Sequence, residues 1–274
     1  MRRARLLISI AAFAVSAVVF LVPFAFIILT AVKSRQESAR LDFSWPEQFL
    51  FVSNFIEVIK TRDYMLVTAF INSFVLTVAS VAIMVVLAAM VGWVLQRRVT
   101  RWTGFINFIV LSGLITPPAV VPTVWVMQQL GIFKTLPGLV LIEVAFGMSF
   151  CVLLFRAFVS TIPRELDEAA LIDGAGPVRL FFQVVFPLLR SVIITAVVVQ
   201  AVVVFNDFTN PLYFLPGQEN VTVQLTLYNF QGQFSTRWNL LFMNILLITI
   251  PPLLMFIFFN RRIVAGLTSG AIKG

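Results

Sequence analysis

The sequence has no histidine and a single cysteine, Cys151. Without histidine there is no Ser-His-Asp or Cys-His nucleophilic arrangement, no His-ligated metal site and no ordinary proton shuttle near neutral pH. One cysteine cannot form an internal disulfide or a cysteine cluster. Lying in an apolar run, Cys151 reads as a small buried residue. The phosphate-cradling pattern G-x-x-x-x-G-K-[ST] is missing, so the chain hydrolyses no nucleotide by that route. Charge is also scarce, at 12% of residues against about 25% in a typical soluble domain. What remains is apolar: 60% of the 274 residues, with a mean hydropathy of +0.99. A soluble fold needs a polar shell this composition cannot supply, so a soluble enzyme and a disordered chain are both excluded. The solvent implied is a bilayer.

A spanning helix needs about 20 mostly apolar residues. Six segments qualify, at roughly 6–31, 69–95, 103–128, 137–158, 191–215 and 238–259. The runs are continuous rather than alternating over about 10 residues, which predicts helices and not barrel strands. The expected fold is therefore all-α: one polytopic domain over 1–274, with six transmembrane helices. The apolar stretch after Arg5 is too long for the 7–15-residue core of a signal peptide and reads as a retained anchor. Pro117, Pro118 and Pro122 interrupt the third segment, where proline permits a kink.

Lys and Arg set the orientation. Of the 20 basic residues, 13 fall before helix one, between two and three, between four and five, and after six. The positive-inside bias then puts both termini in the cytoplasm, as an even number of spans requires. The net charge of +8 is read as orientation and not as a nucleic-acid footprint, since no basic face is interleaved with aromatics. Residues 32–68 and 216–237 become outer loops, and 159–190 becomes the sizeable cytoplasmic one.

That cytoplasmic loop is patterned. Pro163 fits a first helical turn, and Glu165 and Asp167 suit the positive end of the helix dipole. Leu166, Ala169 and Ala170 follow helical spacing, and Gly174 fits a left-handed stop. Val178, Phe181, Phe182 and Val185 form a second stripe, which Pro187 is expected to end. The loop is thus a short helix, a glycine turn and a second short helix, able to lie in a groove of another protein.

Glu168-Ala169-Ala170, three residues, Gly174, nine residues, then Val184-Val-Phe-Pro187 resembles the E-A-A-x3-G-x9-I-x-L-P signature of binding-protein-dependent ABC importer membrane subunits. Phe205-Asn206-Asp207-Phe208-x-x-Pro211 and the end, Arg261-Arg-x-x-x-Gly266-Leu-Thr-Ser-Gly270-Ala-Ile-Lys-Gly274, are similar to the carbohydrate branch, in particular the second, maltose-type six-helix permease. The resemblance implies a non-catalytic inner-membrane subunit of a carbohydrate importer. Its partners would be a second, different permease, two ATP-binding subunits and an extracytoplasmic binding protein, within the lipid of the membrane. No cofactor or metal is expected in this chain, and ATP-Mg would belong to the partner ATPase. The coupling residues implied are Glu165, Asp167, Glu168, Ala169, Ala170, Asp173, Gly174, Phe181 and Pro187. Gly270, Lys273 and Gly274 would run along the ATPase, and Gly217 and Gln218 would meet the binding protein.

Ionisable and amide groups inside the membrane are costly and functional by default. Glu143, Gln200, Asn206, Asp207 and Asn210 are therefore candidates for the solute path, with bundle-fixing hydrogen bonds as the competing role. Most of the 29 phenylalanines read as packing and lipid contacts. The rival function is an ion-gradient-driven transporter or channel subunit, which would need no cytoplasmic docking motif.

Overall fold

The computed structural model describes residues 2–232 and 236–269, and every regular segment among them is helical apart from one isolated bridge between Gln231 and Thr236. The first helix, α1, is Arg2–Val32, followed by a single turn, α2 (Arg35–Ser38), and the long α3 (Phe51–Arg97). Then come α4 (Thr103–Ile115), α5 (Val120–Gln129) and α6 (Leu136–Val159). The chain continues with α7 (Glu165–Ile172), α8 (Pro177–Leu180), a π-helical turn (Phe181–Val185), α9 (Phe186–Leu188), α10 (Arg190–Phe205) and α11 (Thr209–Phe214). A 3-10 helix, Gln224–Phe230, precedes α12 (Trp238–Ser269). Among the described residues, four helices are long and apolar enough to cross a bilayer, or up to six if each of two bent pairs counts as one span.

Proline chemistry accounts for where the sequence expectation and the structure part. The third expected span is two helices, α4 and α5, bent by 114°. Thr116, which precedes Pro117, is extended (ψ 122°), as the ring of a following proline demands. Pro122 falls in the first turn of α5, where its missing N–H costs nothing. The fifth expected span likewise breaks after Phe205, because Pro211 inside a continuous helix would clash with the carbonyl of Asp207. Pro187 does not end its helix as expected. Phe186 donates its N–H to the Phe181 carbonyl in a five-residue step, and this widened turn takes in a ring that would otherwise strike the carbonyl of Gln183. The helix runs past Pro187 to Leu188, with a bend of 79° into α10. The segment expected as an outer loop before residue 69 carries α2 and the first turns of α3, with residues 61–64 out of helical conformation.

The chain divides into two units. The first comprises Met1–Ala69 and Val223–Ile250. There the Asn54 amide donates to the carbonyls of Ala31 (2.8 Å) and Lys33 (3.0 Å), satisfying free acceptors at the end of α1. Its own carbonyl accepts from Asn239 at 3.0 Å. The buried Lys33 ammonium donates to Asp42, at both the backbone carbonyl and the carboxylate (2.8 Å each), and to Ser44 (3.0 Å). Ser34 and Glu37 cap α2 reciprocally.

The second unit comprises Phe70–Thr222 and Pro251–Gly274. Phe155, Phe181, Met84, Leu139, Leu189 and Cys151 are fully buried in its core. Helices α3 and α6 approach closely at Gly92, where an added Cβ would lie 2.9 Å from the backbone nitrogen of Arg156. With Ala88 also buried, this is the small-xxx-small contact by which membrane helices pack without a hydrophobic driving force. Arg156 on α6 then ties the neighbours together, donating to Gln96 of α3 (3.3 Å) and Asn107 of α4 (2.7 Å).

Candidate functional site

Helix α7 is built to be held on one side and open on the other. Three acids lie in its first turn, where the helix dipole favours them. Its C-terminus closes as the sequence predicts. Gly174 is left-handed (φ 77°), Gly174 N–H donates to Leu171 and Ala175 N–H donates to Ala170, a Schellman closure.

The three acids do not share a role. Asp167 is 8% exposed, and its Oδ2 lies 2.6 Å from Nε of Arg97, at the end of α3. The Trp93 indole N–H donates to the same oxygen at 3.4 Å. Arg97 also donates to the carbonyls of Ile162 (3.0 Å) and Pro163 (3.4 Å). One guanidinium therefore holds both the entry to α7 and its central carboxylate. Phe181 is fully buried and meets Trp93 (ring centroids 5.7 Å apart), Phe182 (5.0 Å) and Phe186 (5.6 Å). Asp167 and Phe181, two of the coupling residues that the resemblance implies, are buried and anchored within the chain.

The other side of the segment is open. Glu165, Glu168, Ala169, Asp173, Gly174 and Pro187 are exposed, and Ala170 is half-buried. With them stand large exposed apolar side chains: Ile172, at 87% exposed, with Val178, Leu171 and Phe182. A crevice of about 200 Å³ runs beside α7, between Arg164, Glu168 and Leu171 on one hand and Trp93 and Arg98 on the other.

A second polar locus joins α6 to the end of α10. Glu143, Gln200, Asp207 and Asn210 line one cavity of about 290 Å³, with Phe146 and Phe150. The Asn210 amide donates to Glu143 at 3.3 Å. Asp207 Oδ1 accepts the N–H groups of Thr209 (2.8 Å) and Asn210 (3.3 Å), capping α11. Four of the five expected path residues thus converge. Asn206 does not line the cavity: it is exposed and donates to the Val202 carbonyl at 2.9 Å. Gly217 and Gln218 are exposed in a separate hollow of about 270 Å³ beside Lys134. Gly270, Lys273 and Gly274 lie outside the described residues.

Residues 84–269 match the family model described as binding-protein-dependent transport system inner membrane component. The chain belongs to this family. It is similar to the melibiose/raffinose/stachyose import permease protein MelC of Bacillus subtilis (strain 168), with 30% identity over 264 residues, covering 95% of this chain and 94% of that protein. The diacetylchitobiose uptake system permease protein NgcG of Streptomyces coelicolor is 29% identical over 260 residues, covering 93% and 85%. The fold is that of a chain in the crystal structure of a bacterial ABC transporter involved in the import of the acidic polysaccharide alginate. That match has a TM-score of 0.80 at 18% identity and covers 94% of this chain and 96% of that one.

As a component of such a transport system, the permease carries its E-A-A segment inside the matched region. The ion-gradient reading has no support. Two features of the permease escape the sequence. Arg97 looks like one more topology-setting charge, although Trp93 and Arg97, four apart, share a helix face. Phe146 and Phe150 look like two more lipid-facing rings, although they stand three and seven residues after Glu143 and so on its stripe.

Proposed function

We propose that this permease is one of two membrane subunits of an ATP-driven importer of a carbohydrate, paired with a different permease. Of two ATP-binding subunits, which carry ATP-Mg, one docks on the exposed face of α7. A sugar-loaded binding protein docks on the opposite side of the membrane, at the segments around residues 33–50 and 216–232. In this arrangement the termini are cytoplasmic and each bent pair counts as one of six spans. The relatives include permeases for melibiose, diacetylchitobiose and trehalose, which supports the solute class.

The observation that carries the reading is the division of α7. Asp167 is fastened to Arg97 within the chain, while Glu168, Ala169 and Ile172 are left open to solvent. A short helix alone is marginal in water. One fixed so firmly, with an uncovered apolar edge, is suited to receive a partner. The test is Glu168→Lys in the reconstituted complex. The expected result is loss of ATPase-subunit retention on co-purification, or of sugar uptake coupled to ATP hydrolysis. Normal assembly with normal coupled uptake would overturn the assignment.

A further inference from the structure

The cavity between α6 and α10 holds the most costly side chains of the apolar helices. Glu143, two turns into α6, is 4% exposed, and Gln200, in the middle of α10, is 5% exposed. Charged and amide groups at such depth are expensive in a bilayer, and they line pathways or pair with one another. Here they do both.

Residues 143, 146, 147 and 150 lie at i, i+3, i+4 and i+7, one stripe of α6. Facing them are Val199, Gln200 and Val203 of α10, with Asp207 and Asn210 beyond its end. Gly147 is where the two sides come together: a Cβ there would lie 2.4 Å from the Met84 methyl and 3.3 Å from the Gln200 carbonyl oxygen. The missing side chain lets Met84 of α3 and the Gln200 side-chain amide pack directly against α6 there.

The lining has a definite chemistry. Two carboxyl groups offer acceptors, and two amides offer both donors and acceptors. Phe146 and Phe150, each 38% exposed, offer aromatic faces at the edge. Hydroxyls against carboxyl and amide groups, with C–H faces against rings, is how a pyranose is held. None of the described lining residues is basic, so an anionic sugar would meet two acids and no counter-charge. The volume, about 290 Å³, equals roughly ten waters at ~30 Å³ each. That is enough room to seat one sugar ring.

We propose that this cavity is a subsite of the transport path that takes one uncharged pyranose unit and disfavours anionic units. The proposal rests on the carbohydrate-import reading. A network serving only to fix the bundle would need Asn210 on Glu143 and Asp207 on α11, but it would need neither the space nor the rings.

The experiment uses the assembled complex with its binding protein in proteoliposomes. Uptake of raffinose and trehalose is measured together with ATP hydrolysis. Val203→Trp fills the cavity from a position already 55% exposed, leaving every polar contact in place. It is expected to lower the sugar carried per ATP at least tenfold, and Phe150→Ala severalfold. Where the Val203→Trp complex assembles poorly, the smaller Val203→Cys, labelled with a maleimide against the buried Cys151, provides a second readout: saturable slowing of the labelling by trehalose supports the subsite, and unchanged labelling overturns it. Wild-type sugar-to-ATP ratios in Val203→Trp would overturn the proposal while leaving the importer reading intact. Equal wild-type uptake of digalacturonate would overturn its charge preference. A wild-type complex that moves no sugar would overturn the import reading and the subsite with it.

Discussion

Replacing Arg97 by alanine tests how α7 is held. In the native chain its Nε stands 2.6 Å from Asp167, and the two side chains are 10% and 12% exposed. The substitution orphans a nearly buried carboxylate and strips a donor from the carbonyls of Ile162 and Pro163. Removing one partner of a buried ion pair costs about 3–5 kcal/mol. The two carbonyls add little, because they can turn to water. An eight-residue helix has almost no stability of its own, so the loss falls on its local opening. At about 1.4 kcal/mol per decade, backbone hydrogen exchange across α7 should speed up by roughly two to four powers of ten. Mass spectrometry of peptides covering residues 162–175 in the detergent-solubilised permease reads this directly, with peptides from α6 as the internal control. Replacing both partners, Arg97→Met with Asp167→Leu, should recover most of the protection, because apolar substitution of a whole buried pair is often close to neutral. Unchanged exchange in Arg97→Ala, or a double variant no better protected than the single, would refute the reasoning.

Two further outcomes follow from other parts of the chain. Gly92→Ala should lower the thermal midpoint of the purified permease, since its Cβ would sit 2.9 Å from backbone and side-chain atoms of α6 and overpacking costs about 1–3 kcal/mol. Gly104→Ala, with nothing within 4 Å, should hold or raise it by the helix propensity of alanine, and an equal effect at both sites would contradict the close approach. The second outcome concerns pH. The N–H groups of Glu47 and Ser34 and the Ser34 hydroxyl hold the Glu37 carboxyl below its ordinary value, and the Lys33 ammonium does the same, more strongly, for Asp42. A depressed folded-state value means that the stabilisation is complete above the ordinary carboxylate range near 4 and is lost as pH falls through the folded value. The midpoint difference between wild type and Glu37→Gln should therefore be largest near neutral pH and shrink below about pH 4. A difference that ignores pH would count against the cap.

What the sequence makes legible follows from which interactions are local. Gly174 is predictable because a left-handed helix stop depends on one residue and its neighbours, and the structure places it at φ 77°. The apolar runs identify membrane helices because span length is a property of the segment itself. The breaks are half legible. Pro117, Pro187 and Pro211 announce irregularity, but whether a helix answers with a 114° bend, a π turn or a fresh start depends on what packs around it. The site residues divide along the same line. Glu168 and Asp167 are neighbours in one motif, and nothing local distinguishes them. Only Arg97, 70 positions away, decides that Asp167 turns inward. The same holds for Glu143, whose partner Asn210 lies 67 positions along the chain. For Asn206 and Asp207, one residue's rotation about the helix end separates an exposed amide from a cavity wall.

The inward turn of Asp167 has a mechanical consequence. A load applied to the exposed edge of α7 has two paths into the helices behind it. One is the ion pair to Arg97, reinforced by the Trp93 indole, which reaches α3. The other is Phe181, buried against Trp93 and Phe186, which reaches the π turn at the foot of α10. Both paths converge on Trp93, so α7, α3 and the foot of α10 move together more readily than apart. Packed interiors shift between discrete arrangements and do not deform continuously. A partner that displaces α7 therefore displaces α3 with it. Helix α10, which lines the Glu143 cavity through Val199, Gln200 and Val203, is tied to the same foot through Leu189, fully buried at the 79° bend. The acidic, apolar edge of one short helix and the polar cavity thus belong to one connected set of side chains. Weakening its narrowest link, with Trp93→Leu, should uncouple sugar movement from ATP hydrolysis while leaving the exposed face of α7 unchanged.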